Sequence, residues 1–409
     1  MRANISQNHR MRYALIGISL LLTLHLCTTI LIACSWDYRI WIPRSKSADP
    51  IYRFVRDGKA GYIDRSGKIL IEPTFEAYGN HGGEFHDGLM EIGVSAGRYA
   101  DTTGKIVIDK GYYRGWDFSE GLAVAMDKDG GKWGYIDRSG EFAISSRFAW
   151  SLNDYVYSFS DGLAKIKVAN RHGYIDRSGE FVIPPTFLEG AEFHDGMARV
   201  VVEGPCVYLD DGPCPDGHTI PDGHLMPGGH GQDVPMCKFT FINKSGSIIT
   251  TERYDRAGYF SEGLAPVRSG KKWGYIDKQG QMVIKPRFES AEPFSDGRAL
   301  VKQNNLYGYI DYSGAFVITP QFQYAENFSE GMAVVSRWLK LRKMEFFYIN
   351  KEGNQAIPEN FAIASPFFKG LAHVQLKSNK KNDEKESSDA KSVFAYIDAS
   401  GRRVFTYLN

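Results

Sequence analysis

The residues best suited to bind a metal lie in one stretch, PDGHTIPDGHLMPGGH, which repeats a six-residue unit three times. Its histidines are His218, His224 and His230, and the cysteines in and beside it are Cys206, Cys214 and Cys237. Imidazole and thiolate are ligands of Zn²⁺ and Cu²⁺. The spacing matches no standard zinc finger, however, and Gly and Pro flanks impose no rigid ligand geometry. In an oxidising compartment two of the cysteines would pair instead. We favour a disulfide-closed surface loop and keep the metal site as the alternative.

A second set of chemical groups is acidic and recurs in the phrase Phe-Ser-Glu/Asp-Gly or its His variant. The acids are Asp87, Glu120, Asp161, Asp195, Glu262, Asp296 and Glu330. In a closed array they would form a ring that attracts cations or basic partners. An acid before Gly also accepts hydrogen bonds from nearby backbone N–H groups in a turn. We favour this structural role, because residues that every unit needs cannot single out one active site.

Aromatic residues between the repeated phrases form a third set. They are Tyr112, Tyr113, Trp116, Trp150, Tyr155 and Tyr157. If exposed, such rings stack on sugars or anchor a protein partner. We favour local packing under a loop for these residues.

The chain contains no His-Glu-x-x-His, Gly-x-Ser-x-Gly, phosphate-binding Gly loop or Ser-x-x-Lys motif. We therefore expect a protein that is not an enzyme. Glycosidase carboxylates have no local motif, so a glycan-binding or glycan-processing surface stays as an alternative.

The elements that must position these residues are strands. Among 409 residues, 43 are Gly and 13% are aromatic, a composition that favours strands and tight turns. The phrase Tyr-Ile-Asp-x-x-Gly, with variants, recurs every 34 to 39 residues outside two insertions, 203–237 and 377–391. Its copies end their strands at Asp64, Asp101, Asp137, Asp176, Asn243, Asp277, Asp311, Asn350 and Asp398.

Each unit reads as a three-stranded antiparallel meander. In one copy the strands are 264–267, 273–276 and 281–284, with alternating apolar residues and a turn from Asp277 to Gly280. A meander this small is marginal alone, whereas stacked copies share one core. The sequence predicts an all-β tandem array of about nine meanders. A propeller-like or superhelical arrangement is favoured over an open β-solenoid.

The phrases KWGYID, VIxPxF and FSEGLA resemble the WG repeat, a bacterial β-repeat named for its Trp-Gly pair. The resemblance covers about residues 51–409, although only Trp133 and Trp273 keep the Trp. It implies an all-β repeat protein with an interaction role, and it implies no reaction.

The N-terminus has the layout of an export signal. Arg2, Arg10 and Arg12 precede residues 13–34, which contain no acidic residue, Lys or Arg. The end, Leu-Ile-Ala-Cys, resembles a lipobox in which Cys34 becomes lipidated. We favour this over an uncleaved membrane anchor and over simple secretion. The predicted domains are 1–34 as signal or anchor, 35–50 as tether and 51–409 as the repeat domain.

The charge balance argues against a nucleic-acid partner, because 49 basic residues face 48 acidic ones. We expect a membrane-anchored, extracytoplasmic scaffold of the cell envelope. It would bind a protein or envelope component through loops on one face. The alternatives are a glycan surface and metal capture of Zn²⁺ or Cu²⁺ by the His-rich loop, with no cofactor otherwise.

Overall fold

A computed structural model describes residues 50–76, 84–92, 97–129, 131–149, 155–202, 238–338, 344–377 and 392–408. These residues form nine antiparallel sheets, which we number 1 to 9 along the chain. Six sheets have four strands, and sheets 1, 5 and 8 have three.

The strands of sheets 1 to 5 follow in chain order. Sheet 1 has β1 (Tyr52–Arg56), β2 (Lys59–Ile63) and β3 (Ile69–Glu76). Sheet 2 has β4 (Phe85–His86), β5 (Leu89–Ile92), β6 (Arg98–Asp101) and β7 (Ile106–Ile108). Sheet 3 has β8 (Arg114–Gly115), β9 (Ala123–Met126), β10 (Lys132–Ile136) and β11 (Phe142–Ala149). Sheet 4 has β12 (Tyr155–Ser160), β13 (Leu163–Val168), β14 (Arg171–Ile175) and β15 (Phe181–Phe187). Sheet 5 has β16 (Glu189–Gly190), β17 (Met197–Val201) and β18 (Thr240–Asn243).

The remaining sheets repeat the same order. Sheet 6 has β19 (Arg256–Ala257), β20 (Leu264–Ser269), β21 (Lys272–Asp277) and β22 (Met282–Phe288). Sheet 7 has β23 (Ser290–Ala291), β24 (Ala299–Gln303), β25 (Leu306–Ile310) and β26 (Phe316–Phe322). Sheet 8 has β27 (Tyr324–Ala325), β28 (Met332–Trp338) and β29 (Met344–Asn350). Sheet 9 has β30 (Ile363–Ala364), β31 (Ala372–Gln375), β32 (Val393–Ile397) and β33 (Arg403–Leu408).

The expected three-stranded unit is therefore wrong for most sheets. A complete unit begins with an additional short edge strand, such as β19, which pairs with β20. At two residues this strand is too short to show alternation in the sequence, so it reads as a loop. In sheets 5 and 8 the opposite, long edge strand is reduced to isolated bridges, Ile242 with Ile248 and Ile349 with Gln355.

The meander gives every sheet two distinct ends. At the turn end lie the Phe-Ser-Glu/Asp-Gly turns and the Asp-x-x-Gly turns. At the hairpin end lie the hairpins between the second and third strands of each unit. The predicted insertion 203–237 interrupts the hairpin between β17 and β18, and 377–391 interrupts that between β31 and β32. Both insertions thus join the sheets at the hairpin end.

Neighbouring sheets are joined by the tyrosine of Tyr-Ile-Asp. Its hydroxyl donates to a backbone carbonyl in the next sheet, as from Tyr275 to Glu292 at 2.8 Å and from Tyr309 to Glu326 at 2.7 Å. The same ring packs edge-on against the Phe of the next turn, with 5.2 Å between the centroids of Tyr275 and Phe294. These contacts extend the apolar clusters that lie between successive sheets.

The last sheet returns to the first and closes the array. The Tyr396 hydroxyl donates to the Arg53 carbonyl at 2.5 Å, and the Tyr52 hydroxyl donates to the Lys369 carbonyl at 2.7 Å. Buried Tyr52 and Phe54 of sheet 1 pack with Tyr407 of sheet 9 in one cluster. The nine sheets therefore form a closed β-propeller, which confirms the propeller-like prediction.

This seam between sheets 9 and 1 has its own chemistry. The turn of sheet 9 reads Phe-Phe-Lys-Gly, so Phe368 and Lys369 replace the usual Ser and acid. Tyr52 pairs with Ile63 in sheet 1 as Ala265 pairs with Ile276 in sheet 6, so Tyr52 and Ala265 are equivalent. Pro50 lies two residues before Tyr52 and therefore occupies the position of Gly263, the turn Gly. Pro has no N–H to donate, so this boundary keeps its tyrosine hydrogen bonds and aromatic packing but cannot form a bond from an acid to the N–H at this turn position.

Candidate functional site

The repeated acids at the turn end are used to join sheets. The carboxylate of Glu262 accepts N–H groups of Asp296 at 2.8 Å and Gly297 at 3.0 Å, both in the next unit. The same acid-to-Gly contact recurs between successive sheets: Asp87 with Gly121, Glu120 with Gly162, Asp161 with Gly196, Asp195 with Gly263, Asp296 with Gly331 and Glu330 with Gly370. We call these contacts the turn clasps. The predicted turn role is right, but the bonded N–H belongs to the neighbouring turn.

The clasp carboxylates also meet partners on the next Asp-x-x-Gly turn. Lys244 lies 2.7 Å from Asp161, Lys351 lies 2.8 Å from Asp296, and the Tyr312 hydroxyl donates to Glu262 at 2.7 Å. These acids are therefore paired within the fold. These paired carboxylates do not form the free acidic ring that would attract a cation.

The Asp of Tyr-Ile-Asp holds the next turn together. In Asp137, Oδ1 accepts the Ser139 N–H at 2.8 Å and the Glu141 N–H at 3.2 Å. Asn243 makes the equivalent bonds in sheet 5, to Ser245 at 3.1 Å and Ser247 at 3.0 Å. An amide thus replaces the carboxylate without loss of the turn, which confirms a structural role for this position.

In the Asp398→Asn variant, the free energy of unfolding is expected to fall less steeply than in wild type as the pH is lowered. The Ser400 hydroxyl above all, with Arg402 also contributing, lowers the pKa of Asp398 from 3.8 to about 2. Because the folded pKa lies below the unfolded one, ionised Asp398 stabilises the fold above about pH 4 and ceases to do so as the pH falls toward about 2. The Asn variant cannot titrate there. Urea unfolding at pH 6, 4 and 3 checks this, and parallel declines of both proteins would refute it.

Three of the aromatic residues between the repeated phrases pack locally, as predicted: Tyr112 is buried, and Trp116 and Tyr157 are half-buried. Tyr112 occupies the position of the last Phe of the unit and packs edge-on against Phe142 at 5.7 Å, while Trp116 packs against Trp133 at 5.6 Å. Tyr157 receives the Lys165 ammonium 3.7 Å from its ring centroid. Tyr113 is 56% exposed and remains available to solvent. Trp150 and the Tyr155 side chain lie outside the described structure.

Between sheets 2 and 3 lies a cleft of about 440 Å³. Its lining includes Tyr112, Asp127, Lys128 and an ion pair of Lys110 with Glu141. The walls carry charges of both signs.

The predicted lipidation and metal residues lie outside the described residues. They are Cys34, His218, His224 and His230, together with the disulfide candidates Cys206, Cys214 and Cys237. Those calls stay predictions. Within the described ranges no group of three or more His, Cys, Asp or Glu could hold a metal ion.

Buried charges between sheets escaped the sequence analysis. They occupy the third position of the second strand, as Glu91, Lys165 and Arg199, each at most 8% exposed. Sheets 3, 6, 7 and 8 carry apolar residues there, and sheets 1 and 9 carry Arg53 and His373. Only the register of the second strand shows that these positions are equivalent, and no local motif marks them.

Each buried charge meets a group in the next sheet. Lys165 lies 3.4 Å from the Glu192 carboxylate, and Arg199 donates to the Ala257 carbonyl. Burial, and then the nearby Asp117 carboxylate, raises the pKa of Glu91 to about 8. Glu91 is therefore protonated at neutral pH. These groups fix how particular sheets meet.

Two buried histidines stay neutral for the same reason. Burial, and then the Lys165 ammonium, lowers the pKa of His172, which stands where two other units have Trp, to about 3. Burial lowers the pKa of His373 to about 4, and its Nε2 lies 2.7 Å from the Tyr407 hydroxyl at the seam. Both act as polar members of an aromatic core at neutral pH.

The loops at the hairpin end vary in length more than the turns at the turn end. Tight hairpins such as Asp57–Gly58 and Asn304–Asn305 alternate with the two insertions. Loops that vary in length on a fixed scaffold are the usual carriers of binding. No helix within the described ranges has the length and apolarity of a membrane span.

Several solved structures resemble this chain distantly. Dihydro-heme d1 dehydrogenase NirN aligns at 13% identity with a TM-score of 0.41, over 89% of this chain and 75% of the other. A prolyl endopeptidase aligns at 11% and 0.38, over 79% and 49%. The WD40 domain of Toxoplasma gondii coronin aligns at 10% and 0.28, over 70% and 68%. Scores this low carry no argument about function, and no curated protein matches the chain.

The family model described as "WG containing repeat" matches seven segments. They are 61–89, 98–131, 133–171, 173–204, 239–273, 273–307 and 307–337. Together they cover more than half of the chain, and each spans the strand and turn phrases that build the clasps and the core. The chain belongs to the WG repeat family.

Proposed function

We propose that this protein is a non-catalytic, membrane-tethered scaffold of the cell envelope that binds a protein or envelope component through its hairpin end. The observation that carries the proposal is a difference between the turn end and the hairpin end of the sheets. Repeated residues at the turn end are engaged in clasps between sheets, whereas the hairpin end holds the variable loops and both insertions. Propeller repeats commonly present such a surface to partners.

The predicted tether supports the same orientation. β1 starts at the turn end, where Pro50 stands in a turn position, and the predicted tether 35–50 leads into it. The attachment point and the hairpin end are thus at opposite ends of the strands.

Affinity capture from an envelope extract tests this function. Two variants shorten 203–237 and 378–391 to Gly-Ser links, and a control variant carries Lys68→Glu and Lys105→Glu at the turn end. We expect the shortened variants to lose a captured partner that the control retains, with unchanged unfolding curves for all. Loss in the control alone would contradict the proposal.

Labelling with a radioactive fatty acid should fail in Cys34→Ala, and retained label would contradict the lipid anchor.

A further inference from the structure

The hairpin end of sheet 6 carries a concentration of positive charge. We call it the basic patch, and its members are Lys238, Arg256, Arg268, Lys271 and Lys272. Lys238, Lys271 and Lys272 are exposed, and the two arginines are half-buried. All five lie on or beside the hairpin of β20 and β21 or the short edge strand β19.

Two of these cations face each other across the sheet. Arg256 and Arg268 are directly opposite in the register of β19 and β20. Like charges directly opposite destabilise a sheet. The equivalent pairs in other sheets, such as Ser290 with Lys302 and Ile363 with Gln375, hold one cation at most. Sheet 6 therefore accepts a cost in stability that the other described sheets avoid.

Few carboxylates oppose this charge. Asp255 pairs with Lys238 and also accepts the Gly270 N–H at 2.6 Å. Glu289 of sheet 7, which lies near Lys272, accepts the N–H groups of Asn304 and Asn305 at 3.0 Å each. Both carboxylates are thus already committed to the backbone. Five cations against two such carboxylates leave the patch positive.

The Arg268 guanidinium is incompletely hydrogen-bonded within the fold. The Nε of Arg268 is buried and has no hydrogen-bond partner within the described structure. Burial first, and then the charge of Arg256, lowers the pKa of Arg268. A carboxylate from outside the chain would reduce the repulsion between Arg256 and Arg268, because guanidinium and carboxylate match in geometry.

We propose that the basic patch docks an acidic segment of a partner protein. The proposal rests on the proposed function, and it names the chemistry of the partner at the hairpin end. A carboxylate-rich peptide fits better than a nucleic acid, because the patch is small, comprising five side chains, and the whole chain is nearly neutral, at 49 basic and 48 acidic residues.

The test is fluorescence polarisation of a labelled ten-residue poly-glutamate peptide with the full-length protein in neutral detergent. Lys271→Glu with Lys272→Glu is expected to weaken binding about tenfold or more and to reduce its salt dependence. The matched control, Lys68→Glu with Lys105→Glu, makes the same charge change at the turn end and should bind like wild type. Equal weakening in both variants, or no binding by wild type, would overturn the proposal.

Two further outcomes keep the assignment specific. Tighter, patch-dependent binding of duplex DNA than of the peptide would overturn an acidic protein as the partner. If the variant with Lys271→Glu and Lys272→Glu still captures an envelope partner, the proposed role of the basic patch is wrong. The proposed scaffold function is not contradicted by that result.

Discussion

Gly274→Ala should lower the free energy of unfolding by about 3 kcal/mol or more. A Cβ at this position would lie 2.3 Å from the Ile284 carbonyl oxygen and 2.7 Å from the Pro286 nitrogen. Both are main-chain atoms of β22, which bulges toward β21 at this point. They cannot turn aside as a flexible side chain would, so the two strands must separate. This close approach explains why the Trp-Gly phrase keeps its Gly.

Gly131→Ala is the matched control. A Cβ there meets nothing within 4 Å, so the change should stay within about 0.5 kcal/mol. Urea unfolding of both variants checks the prediction. Equal stabilities of the two variants would mean that the backbone of β22 does not approach β21 at Gly274 as closely as described.

Phe54→Ala should destabilise the protein by about 3–5 kcal/mol and open it at the seam. Phe54 is fully buried in sheet 1, with its ring centroid 4.9 Å from that of Phe405 and 5.6 Å from that of Tyr407, both in sheet 9. No strand passes between these two sheets within the described chain. The turn clasp is also lost there, so aromatic packing and the tyrosine hydrogen bonds carry the closure.

Hydrogen exchange distinguishes this effect from general destabilisation. Phe294→Ala removes an equally buried ring between sheets 6 and 7, which are consecutive in the chain. Phe54→Ala should speed exchange in sheets 1 and 9 first, because local opening follows the weakest boundary. Exchange that rises evenly around the ring in the Phe54 variant would contradict a distinct seam.

Much of the fold follows from the sequence, because three of the four strands carry a visible pattern. Alternating apolar residues and the Asp-to-Gly turn predict the second, third and long edge strands of units such as Leu264–Phe288. The short edge strands stay hidden, since a pair such as Arg256–Ala257 gives no alternation to detect. Closure was equally out of reach, because it depends on contacts such as Tyr396 with Arg53, which are 343 residues apart.

The candidate surfaces were harder to predict than the fold. The sequence predicts the turn acids as turn residues, but their partners lie one unit away, as Gly331 does for Asp296. The basic patch needs the register that puts Arg256 opposite Arg268, and no local motif contains it. Register also assigns Tyr112, four residues after Ile108, to the position that Phe288 takes four residues after Ile284.

The most direct test of a closed nine-sheet ring is a cross-link across the seam. Ser66→Cys and Arg403→Cys flank the contact of Gly67 with Val404, and serine replaces the five native cysteines. A short bismaleimide added to the native protein should join the two positions within one chain and yield a compact monomer on a denaturing gel. It should fail to do so in urea. Cross-links only between chains, or none in the native protein, would contradict the closed ring.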